Sequence, residues 1–273
     1  MTEQPAREPG HKSQIGTDRQ RPLYPDLADQ VAVITGGSRG IGAATARALA
    51  ANGAKVALVA RDADALAAQA DALSSDGARA RAVVADCSIP EQVRHAAEEI
   101  ASELGRVSIL AAFAGGRGEP ATTVQESLEH WRAVLDTNLT ATFLTTQAFL
   151  PAMIERGRGV IITMASSAAR QPERSSAAYA AAKAGVSALT RQLAVEVAAD
   201  GIRVNCLAPA STLNERMAAH MSDRQLDQLA ATFPLGRIAV PDDVADAACF
   251  LASDASSWMT GITLDVAGGK VMR

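Results

Sequence analysis

Tyr179 and Lys183 stand four residues apart in Tyr179-Ala-Ala-Ala-Lys183, and Ser166 lies thirteen residues upstream of the tyrosine. On a helix, side chains at i and i+4 sit one above the other on the same face. A cation held about 4 Å from a phenol, at an effective dielectric of about 20, is worth roughly 4 kcal/mol, or about three pKa units, with desolvation opposing it. Such a phenol can protonate a carbonyl oxygen or take the proton of a hydroxyl near neutral pH. Near the start of the chain runs Thr35-Gly-Gly-Ser-Arg-Gly-Ile-Gly42. Glycines at this spacing let backbone N–H groups approach a pyrophosphate, which then rests on a helix N-terminus. Together the two features point to hydride transfer with a nicotinamide cofactor.

The turn has this meaning only between a strand and a helix. Residues 31–35 read as a buried strand, and residues 41–51 as the following helix, closed by Asn52-Gly53. Residues 55–60 read as a second strand, with Asp62 or Asp64 capping a helix that runs to Ser75. Further strands are expected at 81–85, 107–112, 159–164, 201–207 and 261–265, with helices at about 90–104, 126–156 and 178–199. Apolar strands alternating with helices imply an α/β fold, a parallel sheet of about seven strands covered by helices on both faces. Residues 211–233 break the alternation and read as a helical insertion near the site.

Composition narrows the function classes. Hydrophobic residues make up 48% of the 273 and charged residues 21%, enough for a large core. The net charge of −4 gives no reason to expect a nucleic-acid partner. Cys87, Cys206 and Cys249 are odd in number and form no CxxC, which argues for a reduced, cytoplasmic setting over a disulfide framework. His11, His95, His130 and His220 form no metal-ligand cluster, so no metal is expected. No apolar run reaches membrane-spanning length, so no membrane partner is expected. Residues 1–25 mix Pro, Gly, Gln, Arg, Glu and Asp without an apolar segment and read as a disordered tail before one catalytic domain over 26–273.

The pattern Thr-Gly-x-x-x-Gly-x-Gly, Asp86 after the third strand, Asn138 in Asp-Thr-Asn-Leu-Thr, Ser166, Tyr179, Lys183 and Pro209 follow one another in order. The chain from about 29 to 269 thereby resembles the short-chain dehydrogenase/reductase family, and within it the 3-oxoacyl-[acyl-carrier-protein] reductases. The resemblance implies a single Rossmann-type, doubly wound domain. It implies that Tyr179 is the general acid/base, that Ser166 orients the substrate oxygen, and that Lys183 acts on Tyr179. Asn138 would hold a water that connects Lys183 to solvent. Ser167 is set aside because only Ser166 keeps the family's separation from the tyrosine. For the cofactor it implies Gly36, Ser38, Arg39, Gly40, Ile41, Gly42, Arg61, Asp86, Cys87, Ala114, Gly115 and Pro209, with Tyr179 and Lys183. Either Thr212 or Asn214 would meet the nicotinamide amide.

Where the family places an acid for the adenosine ribose, this chain has Ala60, followed by Arg61, with Arg39 inside the glycine turn. Two guanidiniums there suit a 2′-phosphate, so NADP(H) is expected over NAD(H). The plain alternative is a pair of surface arginines, with Arg61 held by Asp62. Two departures stand out. The fourth strand ends Ala112-Phe-Ala-Gly115 in place of Asn-Asn-Ala-Gly, which removes amides that brace neighbouring strands. Pro209 is followed by Ala210 where glycine is common. The loop 115–120 and the segment 211–233 would flank the nicotinamide, and Arg216 and Arg224 could draw a phosphopantetheine arm. The expected activity is NADPH-dependent reduction of a ketone, such as a 3-oxoacyl thioester. The alternatives are an alcohol dehydrogenase on a steroid-like or polyol substrate and a non-catalytic cofactor-binding regulator. The helices at 126–156 and 178–199 resemble those that pair subunits in the family, which implies a homotetramer or homodimer.

Overall fold

Successive side chains of a strand point to opposite faces, and the apolar runs use both. A computed structural model describes residues 22–272. Its strands are β1 (Val31–Thr35), β2 (Lys55–Ala60), β3 (Ala80–Val84), β4 (Ile109–Ala112), β5 (Gly159–Met164), β6 (Ile202–Pro209) and β7 (Thr263–Val266). They form one sheet in the order β3-β2-β1-β4-β5-β6-β7, every neighbouring pair parallel. The helices are α1 (Gly40–Ala51), α2 (Ala63–Ser75), α3 (Pro90–Leu104), α4 (Leu128–Leu135), α5 (Ala141–Arg156), α6 (Ala177–Val197), α7 (Glu215–His220), α8 (Asp223–Ala230) and α9 (Pro241–Ala252). Ala32, Ile34, Val56 and Leu58 face α1, α2 and α9, whereas Val31, Val33, Ala57 and Val59 face α3, α5 and α6. Each fully buried leucine or isoleucine in these layers contributes about 1.5–3 kcal/mol of transfer free energy.

The chain winds outward from β1 to β3, then crosses back to place β4 on the other side of β1. Such a reversal opens a crevice at the carboxyl ends of β1 and β4, where ligands of doubly wound sheets bind. The expected fold class is thus the observed one.

Three expectations are corrected. The helix expected over 126–156 starts at Leu128 and carries a π-helical turn at Asp136–Thr140. α9 was absent from the sequence reading. Its start signals are Pro241 in the first turn with Asp242 and Asp243. Arg237 grips Asp243 with both nitrogens at 2.6 and 2.7 Å, and Val240 donates its N–H to the same carboxylate. At the other end, Arg203 donates to the carbonyls of Leu251 and Ser253, which the helix leaves free. The last strand starts two residues later than expected and ends one residue later. Of the expected tail, residues 1–21 lie outside the described residues. Tyr24 packs on the α1 side of the core, and its N–H donates to Asn52 Oδ1 at 2.6 Å.

Candidate active site

Gly36 follows β1 at φ +70°, and its N–H donates to Val59 O at 2.8 Å. A Cβ there would lie 3.0 Å from Phe113 O. Gly42, in the first turn of α1, approaches more closely, since its Cβ would fall 2.2 Å from Gly36 O. The start of α1 is therefore pressed directly onto the turn. No side chain caps that helix end, which leaves its first N–H groups facing the crevice. The crevice is a cleft of about 1000 Å³, at the upper end of small-molecule and cofactor sites. Of the expected cofactor residues, Gly36, Ser38, Arg39, Arg61, Asp86, Cys87, Ala114 and Gly115 line it. Gly40, Ile41 and Gly42 form the first turn of α1 beside it. A bare helix N-terminus, close-packed glycines and two exposed arginines fit a phosphate-rich dinucleotide.

The arginines are paired differently from the alternative weighed above. Arg39 is bonded to Asp62, and Arg61 faces Asp86 at 3.7 Å. Asp62 is occupied elsewhere too, because Oδ1 accepts the Ala65 N–H at 3.1 Å and so caps α2. Asp86 accepts from both the N–H and the hydroxyl of Ser88, at 2.9 and 2.6 Å. Burial pushes the Asp86 carboxyl up, but the Ser88 hydrogen bonds and Arg61 outweigh it and hold the group below the usual carboxylate range. The Arg39 and Arg61 side chains are 58% and 72% exposed. Surface pairs of this kind contribute about 0–1 kcal/mol, so both guanidiniums can turn to a phosphate.

Ser166, Tyr179 and Lys183 lie outside the residues that line this cleft; Ser176 caps α6 by accepting the Tyr179 N–H at 3.2 Å. This orients the helix one turn from the phenol. Lys183, one turn on, is buried and donates Nζ–H to Met164 O at 2.8 Å. Its Nζ lies 5.8 Å from the Tyr179 ring centre. Ser166 follows β5 by two residues and stands close enough to the Tyr179 hydroxyl to pull its pKa down, while its Oγ accepts the Ala168 N–H at 3.2 Å. Ser167 turns away and donates to Glu173 Oε1 at 2.5 Å.

The electrostatics correct the expected direction for the phenol. Burial raises the Tyr179 pKa above the ordinary value. The Ser166 hydrogen bond and Arg117 pull it down without reversing this, and Glu173 adds to the rise. Burial also pushes Lys183 down to about 8. The expectation treated the lysine charge as fixed, whereas both partners are desolvated and each favours its neutral form.

The π-helical turn explains how Asn138 reaches the site. Such turns insert an extra residue into a helix and recur at functional positions. Asn138 is fully buried. Its Nδ2 donates to Gly116 O and Val134 O, both at 2.9 Å, and its Oδ1 accepts the Gly116 N–H at 3.2 Å. Gly115 sits between Asn138 and Lys183: a Cβ there would be 2.6 Å from Asn138 Oδ1 and 3.4 Å from Lys183 Nζ. The brace missing from the end of β4 is supplied from β1, where Thr35 Oγ1 accepts the N–H groups of Phe113 and Ala114 at 3.0 and 2.9 Å.

Pro209 ends β6, three strands from β1. Beyond it the Thr212 hydroxyl is tied to Ala210 O at 3.2 Å, and Asn214 caps α7 by accepting the Met217 N–H. Neither lines the cleft. In the 211–233 segment, Phe233 and Leu229 join a small core with Ala210 and Ala267. Arg224 is exposed, and the Arg216 side chain lies outside what is described. The sequence reading missed Ser176, Thr35 and the Glu126–His130 pair. Of these, only Ser176, a serine three residues before the tyrosine, carried a local signal. Among the described residues no group of His, Cys, Asp or Glu is placed to hold a metal, and no helix is long and apolar enough to cross a membrane. All three cysteines are buried, and none forms a disulfide.

Residues 36–270 match a family model described as enoyl-(acyl carrier protein) reductase. The chain is 40% identical over 251 residues to D-threitol dehydrogenase of Mycolicibacterium smegmatis, covering 90% of this chain and 95% of that protein. It is 37% identical over 243 residues to the 3-oxoacyl-[acyl-carrier-protein] reductase of Escherichia coli, covering 89% and 98%. Among solved structures, it is similar to an NADPH-bound short chain oxidoreductase from Pseudomonas aeruginosa. The TM-score is 0.87 at 37% identity, over 92% of this chain and all of the other.

Proposed function

The chain belongs to the short-chain dehydrogenase/reductase family, and from that premise we propose that it reduces a ketone to a secondary alcohol with NADPH. The family binds NAD(P), and the nicotinamide, when bound, supplies the hydride. The observation that carries the reading is the buried Lys183, its Nζ 5.8 Å from the Tyr179 ring centre, with Ser166 beside the Tyr179 hydroxyl. Ser166 holds the substrate oxygen, and Tyr179 gives it a proton as the carbon is reduced. Lys183 stabilises the tyrosinate left behind. Asn138, set beside Lys183 across Gly115, holds the water through which the proton is restored.

This assignment fixes the pH behaviour. Reduction needs Tyr179 protonated and Lys183 charged. The raised phenol satisfies the first condition well into alkaline pH. Lys183 loses its charge near pH 8, so kcat/KM for reduction is expected to be flat near neutrality and to fall as pH rises through about 8. Oxidation of the alcohol needs the tyrosinate and is expected to climb with pH. A reduction profile that stays level to pH 10 would remove Lys183 from the mechanism.

The preference for NADPH rests on Arg39 and Arg61. A charge-assisted hydrogen bond to phosphate is worth about 1.5–3 kcal/mol. Arg39→Ala and Arg61→Ala are each expected to raise KM for NADPH by about tenfold and to leave KM for NADH unchanged. Equal effects on the two cofactors would assign both arginines to the surface. A second reading, oxidation of a polyol, is favoured by the likeness to D-threitol dehydrogenase. Steady-state assays in both directions separate the two. Phe143 and Ile154 on α5 and Val195 on α6 are exposed, which supports subunit pairing there as a homodimer or homotetramer; light scattering on the purified chain reads this.

A further inference from the structure

We infer that the substrate carries a carboxylate and that Arg117 receives it. The inference rests on the assignment of Tyr179 as the proton donor, and it names the substrate class of that same site.

Arg117 lies in the loop that leaves β4, and both flanks of that loop are anchored. Before it, Gly116 exchanges hydrogen bonds with Asn138 through its N–H and its carbonyl. After it, Gly118 rests on His130, whose Nε2 would be 3.1 Å from a Cβ at that position. His130 is held in turn by Glu126, Nδ1 to Oε1 at 2.9 Å. The other oxygen of Glu126 accepts the N–H of Ala178, next to Tyr179, at 3.4 Å. The loop is thus fastened to the two elements that place Asn138 and Tyr179. Arg117 projects from between these anchors into the wall of the cleft.

The three arginines of the cleft differ. Arg39 and Arg61 each face an acid. Arg117 is exposed and, among the described residues, forms no salt bridge. It lies near enough to Tyr179 to favour the phenolate, more than Glu173 disfavours it. A neutral ketone would leave this guanidinium with water alone. A carboxylate would meet it with two parallel hydrogen bonds, the geometry for which the planar guanidinium is suited. Glu173, held by Ser167, would repel the same carboxylate and so help set which way the substrate lies. The phosphate of a phosphopantetheine arm carries charge too, but it sits a whole arm's length from the reacting carbon. Arg117 stands in a loop fastened to the elements that place Asn138 and Tyr179, which puts the anion on the same small molecule as the ketone.

The test is NADPH oxidation by the purified enzyme with acetoacetate, levulinate and 5-oxohexanoate, each beside its methyl ester. The 3-oxobutanoyl thioester of N-acetylcysteamine and neutral ketones complete the set. At least one acid is expected to exceed its ester in kcat/KM by about tenfold or more. Arg117→Gln is expected to abolish that advantage through KM of the acid, and Arg117→Lys to keep part of it. Equal rates for acid and ester, a preference that survives Arg117→Gln, or a thioester that outruns every acid would each overturn the inference and leave the reductase reading standing. If NADPH binds and no ketone of any kind is reduced, the reductase reading fails and takes this inference with it.

Discussion

Tyr179→Phe is expected to lower kcat for ketone reduction by about a thousandfold, the middle of the range for loss of a positioned general acid, while NADPH binding stays within about twofold. The change removes one oxygen and keeps the ring, so the packing over Lys183 at 5.8 Å persists. Lys183 keeps its bond to Met164 O, and Ser166 keeps its bond from the Ala168 N–H. The α6 cap is also untouched, because Ser176 bonds the backbone of residue 179 and not its side chain. The lost Ser166 partner costs at most about 1 kcal/mol of stability, since the serine hydroxyl keeps a second bond. The expected protein therefore folds, binds cofactor and fails at proton transfer. Single-turnover rates beside an NADPH fluorescence titration measure both halves. Full turnover in this variant would move the proton to another group, and Ser166 would be the next to replace.

The sequence carried the site where its signals were local. β1, β2 and β5 begin and end where their apolar runs do, and Asp62 caps α2 as one of the two residues weighed for that role. The pairing of Tyr179 with Lys183 was legible because i, i+4 spacing on a helix needs no tertiary knowledge. What the sequence hid was set by partners far along the chain. The π-helical turn at Asn138 comes with bonds to Gly116, twenty-two residues away, and leaves the apolar period of the helix almost intact. Arg39 bonds Asp62 across twenty-three residues. α9 escaped because half of its buried face is alanine, a weak period signal that acquires meaning only against α1. The Tyr179 pKa direction depended on how far burial outweighs a nearby cation, and spacing alone does not contain that balance.

Gly42→Ala is expected to destabilise the protein by about 1–3 kcal/mol, as overpacking does, and to weaken NADPH binding by at least tenfold. The added Cβ would fall 2.2 Å from Gly36 O and 2.8 Å from Gly36 C, and both are backbone atoms, so no side-chain rotation relieves the contact. One side or the other must move. α1 resists because its alanine face is packed onto α9. The turn resists because Gly36 N–H is bonded to Val59 O and its own Cβ direction is filled by Phe113 O at 3.0 Å. The weaker of these constraints must give, and either motion tilts the N–H groups that would face the pyrophosphate. Gly40→Ala separates this cause from simple backbone strain. Its Cβ meets nothing within 4 Å, but φ is +55°, so its expected stability cost is the left-handed penalty of about 1–2 kcal/mol without displacement of the turn. Urea denaturation and NADPH titration of the two variants read stability and binding independently. Wild-type NADPH affinity in Gly42→Ala would mean that the turn tolerates an opened α1 start, and that the phosphate is held by the arginines in place of the backbone.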